Sequence, residues 1–342
     1  MQDTPRVKTS VIVGRWQLFH KGHETLLNAA LQIAEQVIVV IGSAYRSRDA
    51  RNPFTWQERQ AMLQSVLAPA DLPRVQFLPV RDYFDDERWN GAVRAGVQQL
   101  SQGRGGVTLV GFKKDGTSYY LDNFPAWSAY TVQPEYELDA TALRDVFFAG
   151  GDPQAQLAAL APHFSPPVLA YLQAWAQLPV YAERVREHLA VAAYRKRWHA
   201  DVYLTADAVV VARQQVLLVR RGGAMGHGQW ALPGGFVDKN ERFYAASLRE
   251  LEEETGFRLP AAAMRQACRG SQVFDHPLRS PRGRLITCAF HFDLGDTPPP
   301  EVRGADDALL AQWVPLVDLP ALEEQLFEDH AAILDRFVGL FP

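Results

Sequence analysis

One stretch of 23 residues, 235–257, constrains the fold and chemistry of this chain more than any other. It opens on the second glycine of the pair Gly234-Gly235, continues through Glu241, and ends in a pattern that predicts a helix. On that helix Glu250, Glu253 and Glu254 stand at i, i+3 and i+4, so their carboxylates share one face. Like charges at this spacing repel one another, and a divalent cation between them relieves the repulsion. Oxygen-only ligands favour Mg²⁺ or Mn²⁺.

The stretch matches the Nudix box at every fixed position and resembles that of hydrolases acting on nucleoside diphosphates linked to another moiety. A bare Glu-x-x-Glu-Glu would be read as a solvated acidic helix, but the complete pattern argues against this. The resemblance implies that Glu250, Glu253 and Glu254 hold metal and that Glu241 and Glu253 act in catalysis. Arg249, four residues before Glu253, is expected to orient it. Bound metal would activate water for attack on a pyrophosphate phosphorus.

A second segment, 274–287, carries three arginines in a predicted loop before a strand: Arg279, Arg282 and Arg284. Guanidinium groups suit phosphates and ribose oxygens. The segment resembles one found in Nudix domains that act on ADP-ribose, which implies that these arginines bind ADP-ribose. A solvated basic loop is the alternative. Trp230, just before the box, is predicted to pack rather than to stack on a ligand.

A different motif lies near the start of the chain, where His20 and His23 bracket a glycine. It follows a predicted strand at 10–14 and opens a predicted helix at 24–35, with another strand at 37–41. Strand, loop, helix, strand predicts a parallel sheet. Ligands bind at the carboxyl ends of such strands, and helix N-termini attract anions. The motif therefore favours a triphosphate, with the imidazoles as donors to its oxygens.

This stretch, Gly-Arg-x-Gln-x-Phe-His-x-Gly-His, resembles the ATP-binding signature of the nucleotidylyltransferase superfamily. It is most similar in form to archaeal-type nicotinamide mononucleotide (NMN) adenylyltransferases, as are Asn-Pro-Phe-Thr-x-x-Glu-Arg at 52–59 and the residues at 111–125. The resemblance implies in-line attack of the NMN phosphate on the α-phosphorus of ATP, giving NAD and pyrophosphate. It implies catalytic roles for His20, His23 and Arg144. The residues implied to bind ATP or NMN are Gly14, Arg15, Trp16, Gln17, Arg59, Trp89, Lys113 and Thr141.

Two of these assignments have alternatives. Trp89 is a candidate for stacking on the nicotinamide ring, and core packing would explain it as well. The segment 138–144 resembles the second superfamily signature, usually Ile-Ser-x-Thr-x-x-Arg, but has Leu138 and Asp139 in place of Ile-Ser. Asp139 lacks the hydroxyl that the usual serine supplies at this position. Thr141 is expected to cap the following helix, and Arg144 to reach the phosphates.

Two motif sets in 342 residues predict two domains. We expect an α/β fold in both: a Rossmann-like adenylyltransferase domain with a parallel sheet at 1–180, and a Nudix α/β/α sandwich with a mixed sheet at 202–342. A charged helical linker is expected at 181–201. In this order the pair resembles bacterial bifunctional enzymes that join NMN adenylyltransferase to ADP-ribose pyrophosphatase. The resemblance implies hydrolysis of ADP-ribose to AMP and ribose 5-phosphate.

The remaining sequence features argue mainly against particular binding partners, metal sites and locations. The net charge of −4 argues against nucleic-acid or membrane-surface binding. There are two cysteines, Cys268 and Cys288, and no Cys-x-x-Cys pair, so no thiolate zinc site is expected. Neither a signal peptide nor an apolar run of about 20 residues is visible, which makes the cytoplasm the expected location. A homo-oligomer is compatible with the sequence.

Two other functions stay open on the sequence alone. The Nudix half could bind ADP-ribose as a sensor without cutting it, although all the metal carboxylates are retained. Alternatively both halves are enzymes with other substrates. The first would then use nicotinate mononucleotide or phosphopantetheine, and the second a dinucleoside polyphosphate or another nucleoside diphosphate derivative.

Overall fold

The structure is a computed structural model, and it describes residues 6–103, 105–112, 123–134, 138–197 and 201–341. The chain divides into two compact units, 1–185 and 186–342. Each unit has its own sheet. Among the described residues no helix is both long and apolar enough to cross a membrane.

The N-terminal unit is built on a parallel sheet of five strands in the order β3-β2-β1-β4-β5. Since the chain runs outward from β1 to β3 and then returns to β4 beside β1, the strand order reverses between β1 and β4. Such a reversal opens a crevice at the carboxyl ends of the two strands. The strands are β1 Val7–Gly14, β2 Ala34–Ala44, β3 Val75–Arg81, β4 Val107–Phe112 and β5 Ser128–Val132.

Helices cover both faces of this sheet. Alternate residues of β2 supply the two cores: Val37, Val39 and Ile41 pack in one, whereas Ile38 and Val40 pack in the other. Such continuous apolar runs are typical of parallel strands buried on both sides. The helices are α1 Lys21–Ile33, α2 Trp56–Ser65, α3 Asp86–Leu100, α4 Ala140–Phe147, α5 Pro153–Leu160, α6 Pro166–Trp175 and α7 Pro179–Arg197, the last of which continues into the second unit. The Rossmann-like parallel sheet is confirmed.

The C-terminal unit has a mixed sheet in the order β10-β11-β6-β7-β12. Within it β11 and β6 are parallel, and the other neighbours along this order are antiparallel. The strands are β6 Tyr203–Ala212, β7 Gln215–Arg221, β8 Trp230–Ala231, β9 Gly234–Phe236, β10 Cys268–Phe274, β11 Leu285–Asp293 and β12 Ala308–Pro315. The short strand β8 pairs with β7, and β9 pairs with β6.

Helices again lie on both sides of the sheet: α8 Phe243–Thr255, α9 Ala261–Ala267 and α10 His330–Val338. Ala208 and Val210 of β6 share one core with Leu251 of α8. Val209, between them in the sequence, packs with Ile333 of α10 in the other core. Period-two alternation along one strand thus separates the two helical layers. The predicted α/β/α sandwich with a mixed sheet is confirmed.

Two candidate active sites

The two histidines of the N-terminal motif meet at the start of α1. His20 is the N-cap residue of this helix and is buried. The imidazole rings of His20 and His23 stack with their centroids 3.7 Å apart and their planes inclined by 19°. Because α1 follows β1, both rings lie at the carboxyl edge of the sheet, beside backbone N–H groups that a helix N-terminus leaves unpaired. An anion placed there would meet two ring donors and a favourable helix dipole.

The loop before His20 is held in an uncommon conformation. Trp16 has a positive φ of 55°, and its buried indole N–H donates to the Val40 carbonyl at 2.9 Å. A Cβ on Gly14 would lie 2.9 Å from the Trp16 ring, so glycine is required there. The Gln17 amide donates to the Phe54 carbonyl at 2.9 Å and accepts from the Phe54 N–H at 3.1 Å. Within residues 14–17 of this loop, Arg15 is the exposed residue.

Arg59 is a buried anchor for this loop. Its guanidinium donates to four backbone carbonyls, those of Arg15, Gly42, Ser43 and Thr55, at 2.6–3.2 Å. Burial lowers the pKa of Arg59 to about 9, and nearby Asp82 works in the opposite direction. The side chain thus ties the ends of β1 and β2 to α2.

Arg144 approaches the same loop from α4. Its Nη1 donates to the Gln17 carbonyl at 2.7 Å, and its Nη2 donates to the Thr141 hydroxyl at 3.1 Å. Burial, reinforced by the charge of Arg15, lowers the pKa of Arg144 to about 10. Arg144 therefore places positive charge against the loop at 14–19 that precedes His20, which we call the motif loop.

The expectation that Thr141 caps α4 is wrong. Asp139 is the N-cap residue, and its carboxylate accepts a hydrogen bond from the Thr141 N–H at 2.8 Å. Aspartate caps a helix about as well as serine does, so the departure from the usual signature preserves the helix start.

The structure says less about two other predicted ligand residues, Trp89 and Lys113. Trp89 is half-buried in α3 and packs against a core cluster, with its ring 6.5 Å from that of Phe124. Lys113 lies outside the described residues.

An ion-pair network that we did not predict lies past the ends of β2 and β3. Arg46 bridges Asp49 and Asp82 with two contacts of 2.9 Å. Burial alone would raise the pKa of Asp49, but the charge of Arg46 and N–H groups of Asn52 and Arg51 hold it below its usual value. The sequence offers one signal for it, namely charged residues clustered after two predicted strands.

In the C-terminal unit the Gly-Gly pair brings backbone against carboxylates. A Cβ on Gly235 would lie 2.5 Å from Oε1 of Glu250, and a Cβ on Gly234 would lie 2.3 Å from Oδ1 of Asp207. The Gly234 N–H donates to Oε2 of Glu254 at 3.0 Å. The box therefore packs β9 directly onto the carboxylate face of α8.

One guanidinium lies among three of the four carboxylates. Arg249 contacts both oxygens of Glu241 at 2.9–3.0 Å, and its Nη1 contacts Glu250 and Glu253 at 2.8 Å each. The predicted contact between Arg249 and Glu253 is confirmed. With Arg249 in this position, no three acidic, histidine or cysteine side chains of the described residues form a ready metal cage. The converging carboxylates nevertheless form an oxygen donor set around a positive charge, which fits a hard divalent cation.

Glu254 is the most buried of these carboxyl groups. Burial raises its pKa to about 9, and a hydrogen bond and charge from Asp307 act in the same direction. Burial also raises the pKa of Glu250. Asp307 was not predicted, because it lies more than 50 positions from Glu254 in a loop with no motif. Carboxyl groups that resist ionisation in this way are ones that a cation would stabilise.

The three arginines of the 274–287 segment lie in different environments. Arg279 is buried and contacts both oxygens of Asp329 at 2.8 Å. Arg282 forms an ion pair with Glu328 at 2.9 Å. Arg284 is half-buried and donates to the carbonyl of Asp275. The first two guanidinium groups are thus engaged by acidic partners within the unit. As predicted, Trp230 is buried in a core cluster.

Comparisons with known proteins match each unit separately and the whole chain together. A NUDIX domain family model matches residues 202–337, and a cytidylyltransferase-like model matches 11–100. A nicotinamide/nicotinic acid mononucleotide adenylyltransferase of Acinetobacter baylyi is 35% identical over 41% of this chain and 75% of its own length. An ADP-ribose pyrophosphatase of Methanocaldococcus jannaschii is 31% identical over 44% of this chain and 84% of its own.

A crystal structure from Francisella tularensis matches nearly the full length. That protein is a bifunctional NMN adenylyltransferase/ADP ribose pyrophosphatase complexed with AMP and a manganese ion. It superposes with a TM-score of 0.89 at 31% identity, covering 97% of this chain and 98% of that one.

Proposed function

The chain belongs to the family of bifunctional enzymes that join an NMN adenylyltransferase to an ADP-ribose pyrophosphatase, and on that premise we propose both activities for it. The N-terminal unit transfers AMP from ATP to NMN, giving NAD and pyrophosphate. The C-terminal unit hydrolyses ADP-ribose to AMP and ribose 5-phosphate. The observation that carries the proposal is the near full-length structural match, in a chain that retains both the histidine pair and the carboxylate face.

Adenylyl transfer in this proposal uses positioning and charge rather than a covalent intermediate. The ATP triphosphate lies at the N-terminus of α1, where His20 and His23 donate to its oxygens. Arg15 on the surface and Arg144 beneath the loop neutralise charge. The phosphate of NMN attacks the α-phosphorus in line, and pyrophosphate leaves. Alignment of the two substrates and a preorganised set of donors supply the rate enhancement.

The other predicted ligand residues divide by what the structure shows around them. Gly14, Trp16, Gln17 and Arg59 shape the motif loop, so their contact with nucleotide is through that loop's backbone. Thr141 supports Arg144. Trp89 and Lys113 keep their predicted roles near NMN and ATP as proposals.

Hydrolysis in the second unit depends on the carboxylates of the Nudix box. Glu250, Glu253 and Glu254 would hold Mg²⁺ or Mn²⁺, which activates water and neutralises the leaving phosphate when bound. Arg249 contacts Glu250 and Glu253 and is itself held by Glu241. Glu241 together with Glu253 is available to accept a proton from the attacking water. Arg284 is half-buried and donates to the backbone carbonyl of Asp275, and we propose it as a contact for ADP-ribose.

We further propose functional boundaries at 1–180 for the transferase, 181–201 for a helical linker and 202–342 for the hydrolase. Helix α7 contains most of that linker. The start of the hydrolase coincides with the start of the matched Nudix segment.

The test uses the full chain and product analysis. ATP, NMN and Mg²⁺ should yield NAD and pyrophosphate, and ADP-ribose with Mg²⁺ or Mn²⁺ should yield AMP and ribose 5-phosphate. E253Q should lose hydrolysis and keep adenylyl transfer, whereas H23A should do the opposite, so each variant controls for the other. Absence of NAD from the wild-type chain would refute the transferase assignment.

Two outcomes would favour the alternatives. Calorimetric binding of ADP-ribose by the wild-type chain without release of AMP would indicate a sensor. Faster turnover of nicotinate mononucleotide, or of a dinucleoside polyphosphate, in a substrate panel would keep the reaction classes and change the substrates. The Acinetobacter relative is a nicotinamide/nicotinic acid mononucleotide adenylyltransferase, so turnover of NMN and of nicotinate mononucleotide is compared first.

A further inference from the structure

A short C-terminal stretch, Leu326–His330, lies against the loop that leads into the Nudix box; we call it the brace segment. Leu326 forms an isolated parallel bridge with Trp230, and the Phe327 N–H donates to the Trp230 carbonyl at 2.7 Å. The Leu232 N–H donates to Nδ1 of His330 at 2.8 Å, across 98 positions of sequence. The loop between β8 and β9 is therefore held by a distant part of the chain.

His330 makes this contact as a neutral ring. A backbone N–H can only donate, so Nδ1 must accept and the ring proton is on Nε2. Burial lowers the pKa of His330 well below its ordinary value, and the charges of Arg279, Arg221 and Arg282 act in the same direction. The acceptor is thus available throughout the neutral pH range.

The brace segment is itself anchored by arginines of the 274–287 segment. Arg279 contacts both carboxylate oxygens of Asp329, and the two side chains are only 4% and 2% exposed. Asp329 is the N-cap residue of α10 but makes no capping hydrogen bond with its side chain, because the carboxylate faces Arg279. Arg282 and Ser280 together engage the neighbouring Glu328. Removing Arg279 would leave a buried carboxylate without its counter-charge.

The other end of the loop reaches the carboxylates that would bind metal. Gly234 is two residues beyond Leu232, and its N–H donates to Glu254 at 3.0 Å. The Pro233 carbonyl between them accepts from the Ala208 N–H at 2.9 Å. A shift of the loop at Leu232 would therefore change the donor that orients Glu254.

We propose that Arg279 is a positioning residue for hydrolysis. By holding Asp329 it fixes the brace segment, which through His330 and Leu232 sets the Gly234 donor against Glu254. This inference rests on the proposed hydrolytic function of the same unit. It differs from a direct contact between Arg279 and a phosphate or ribose of the substrate.

The first test compares steady-state kinetics of the full chain with ADP-ribose and Mn²⁺ for wild type and R279M. We expect kcat to fall about tenfold or more while KM stays within about twofold, because the side chain acts on the geometry of the site and not on substrate binding. R258M is the matched control, since Arg258 is in an exposed ion pair with Glu252 in the same unit. Adenylyl transfer by the same preparation should be unchanged.

The second test keeps the proposal falsifiable if R279M does not fold. The amide of H330N can accept from the Leu232 N–H and should retain most of the kcat, whereas H330L cannot and should lose about tenfold. The double variant R279M/H330L should lose little more than either single variant, because both remove the same support.

Several results would overturn the positioning role: a raised KM with unchanged kcat in R279M, additive losses in the double variant, or an H330L enzyme as fast as wild type. The first of these would assign Arg279 to substrate binding. A wild-type chain that releases no AMP would refute the proposed function itself. Active wild type with an unaffected R279M would refute only the positioning role.

Discussion

Replacing Gly235 by alanine should slow hydrolysis while leaving the stability of the fold nearly unchanged. The added Cβ would lie 2.5–2.7 Å from the carboxylate atoms of Glu250, and the backbone at Gly235 has no positive φ that alanine would strain. A normal contact needs about 3.4 Å or more, so the carboxylate must move by roughly 1 Å. Because it is the far end of a flexible side chain, this movement should cost little stability. A displacement of that size at a catalytic group is worth about 100-fold in rate.

The assay is ADP-ribose hydrolysis by Gly235→Ala, with adenylyl transfer by the same sample as an internal control. Gly223→Ala is the matched substitution, because the nearest atom to its added Cβ is a flexible arginine nitrogen 4.0 Å away. We expect a fall in kcat of about 100-fold for Gly235→Ala, a weaker response to added Mn²⁺, and no change for Gly223→Ala. A kcat within twofold of wild type would show that the close approach of β9 to Glu250 does not set the site's geometry.

Three further predictions concern stability, each measured by urea denaturation of the full chain. Arg59→Met should lower the free energy of unfolding of the N-terminal unit by about 2–4 kcal/mol, because several buried carbonyls lose their donor; an unchanged midpoint would contradict this. Asp139→Ala should cost about 1 kcal/mol through loss of the α4 cap, and Asp139→Ser should restore it; equal losses in both would argue against capping. Burial keeps the pKa of His330 low, so only the unfolded state takes up its proton below pH 6.5, and stability falls there with a limiting slope of about 1.4 kcal/mol per pH unit. His330→Asn should lack this component, and parallel pH profiles for the two proteins would disprove it.

Much of the fold followed from local pattern. The strands β1 and β2 show as continuous apolar runs, and the helix between them and the helix of the Nudix box show a period of 3.6 residues; a sequence displays both patterns directly. The strand β5 was not predicted, because it lies at an exposed sheet edge where no apolar face is required. The helix α9 spans only seven residues, too few to show a helical period.

Local pattern also predicted part of each candidate site. Spacing along one helix placed Glu250, Glu253 and Glu254 on a common face, and strand-then-helix order placed His20 and His23 at a sheet edge. The motif resemblance named the reactions, and the departure at Asp139 proved to be an alternative helix cap.

Tertiary structure decided which charged groups are available to a ligand. Arg279 and Asp329 are 50 positions apart in the sequence, and Arg282 and Glu328 are 46 positions apart. Because of these separations, no local sequence pattern predicts either ion pair. The motif predicts Arg59 as a nucleotide ligand, yet its guanidinium donates hydrogen bonds to four backbone carbonyls of the protein. The sequence by itself determined which elements form and which residue types each site contains. The partners of each charge depend on contacts between distant segments, because burial makes an unpaired charge too costly to leave without one.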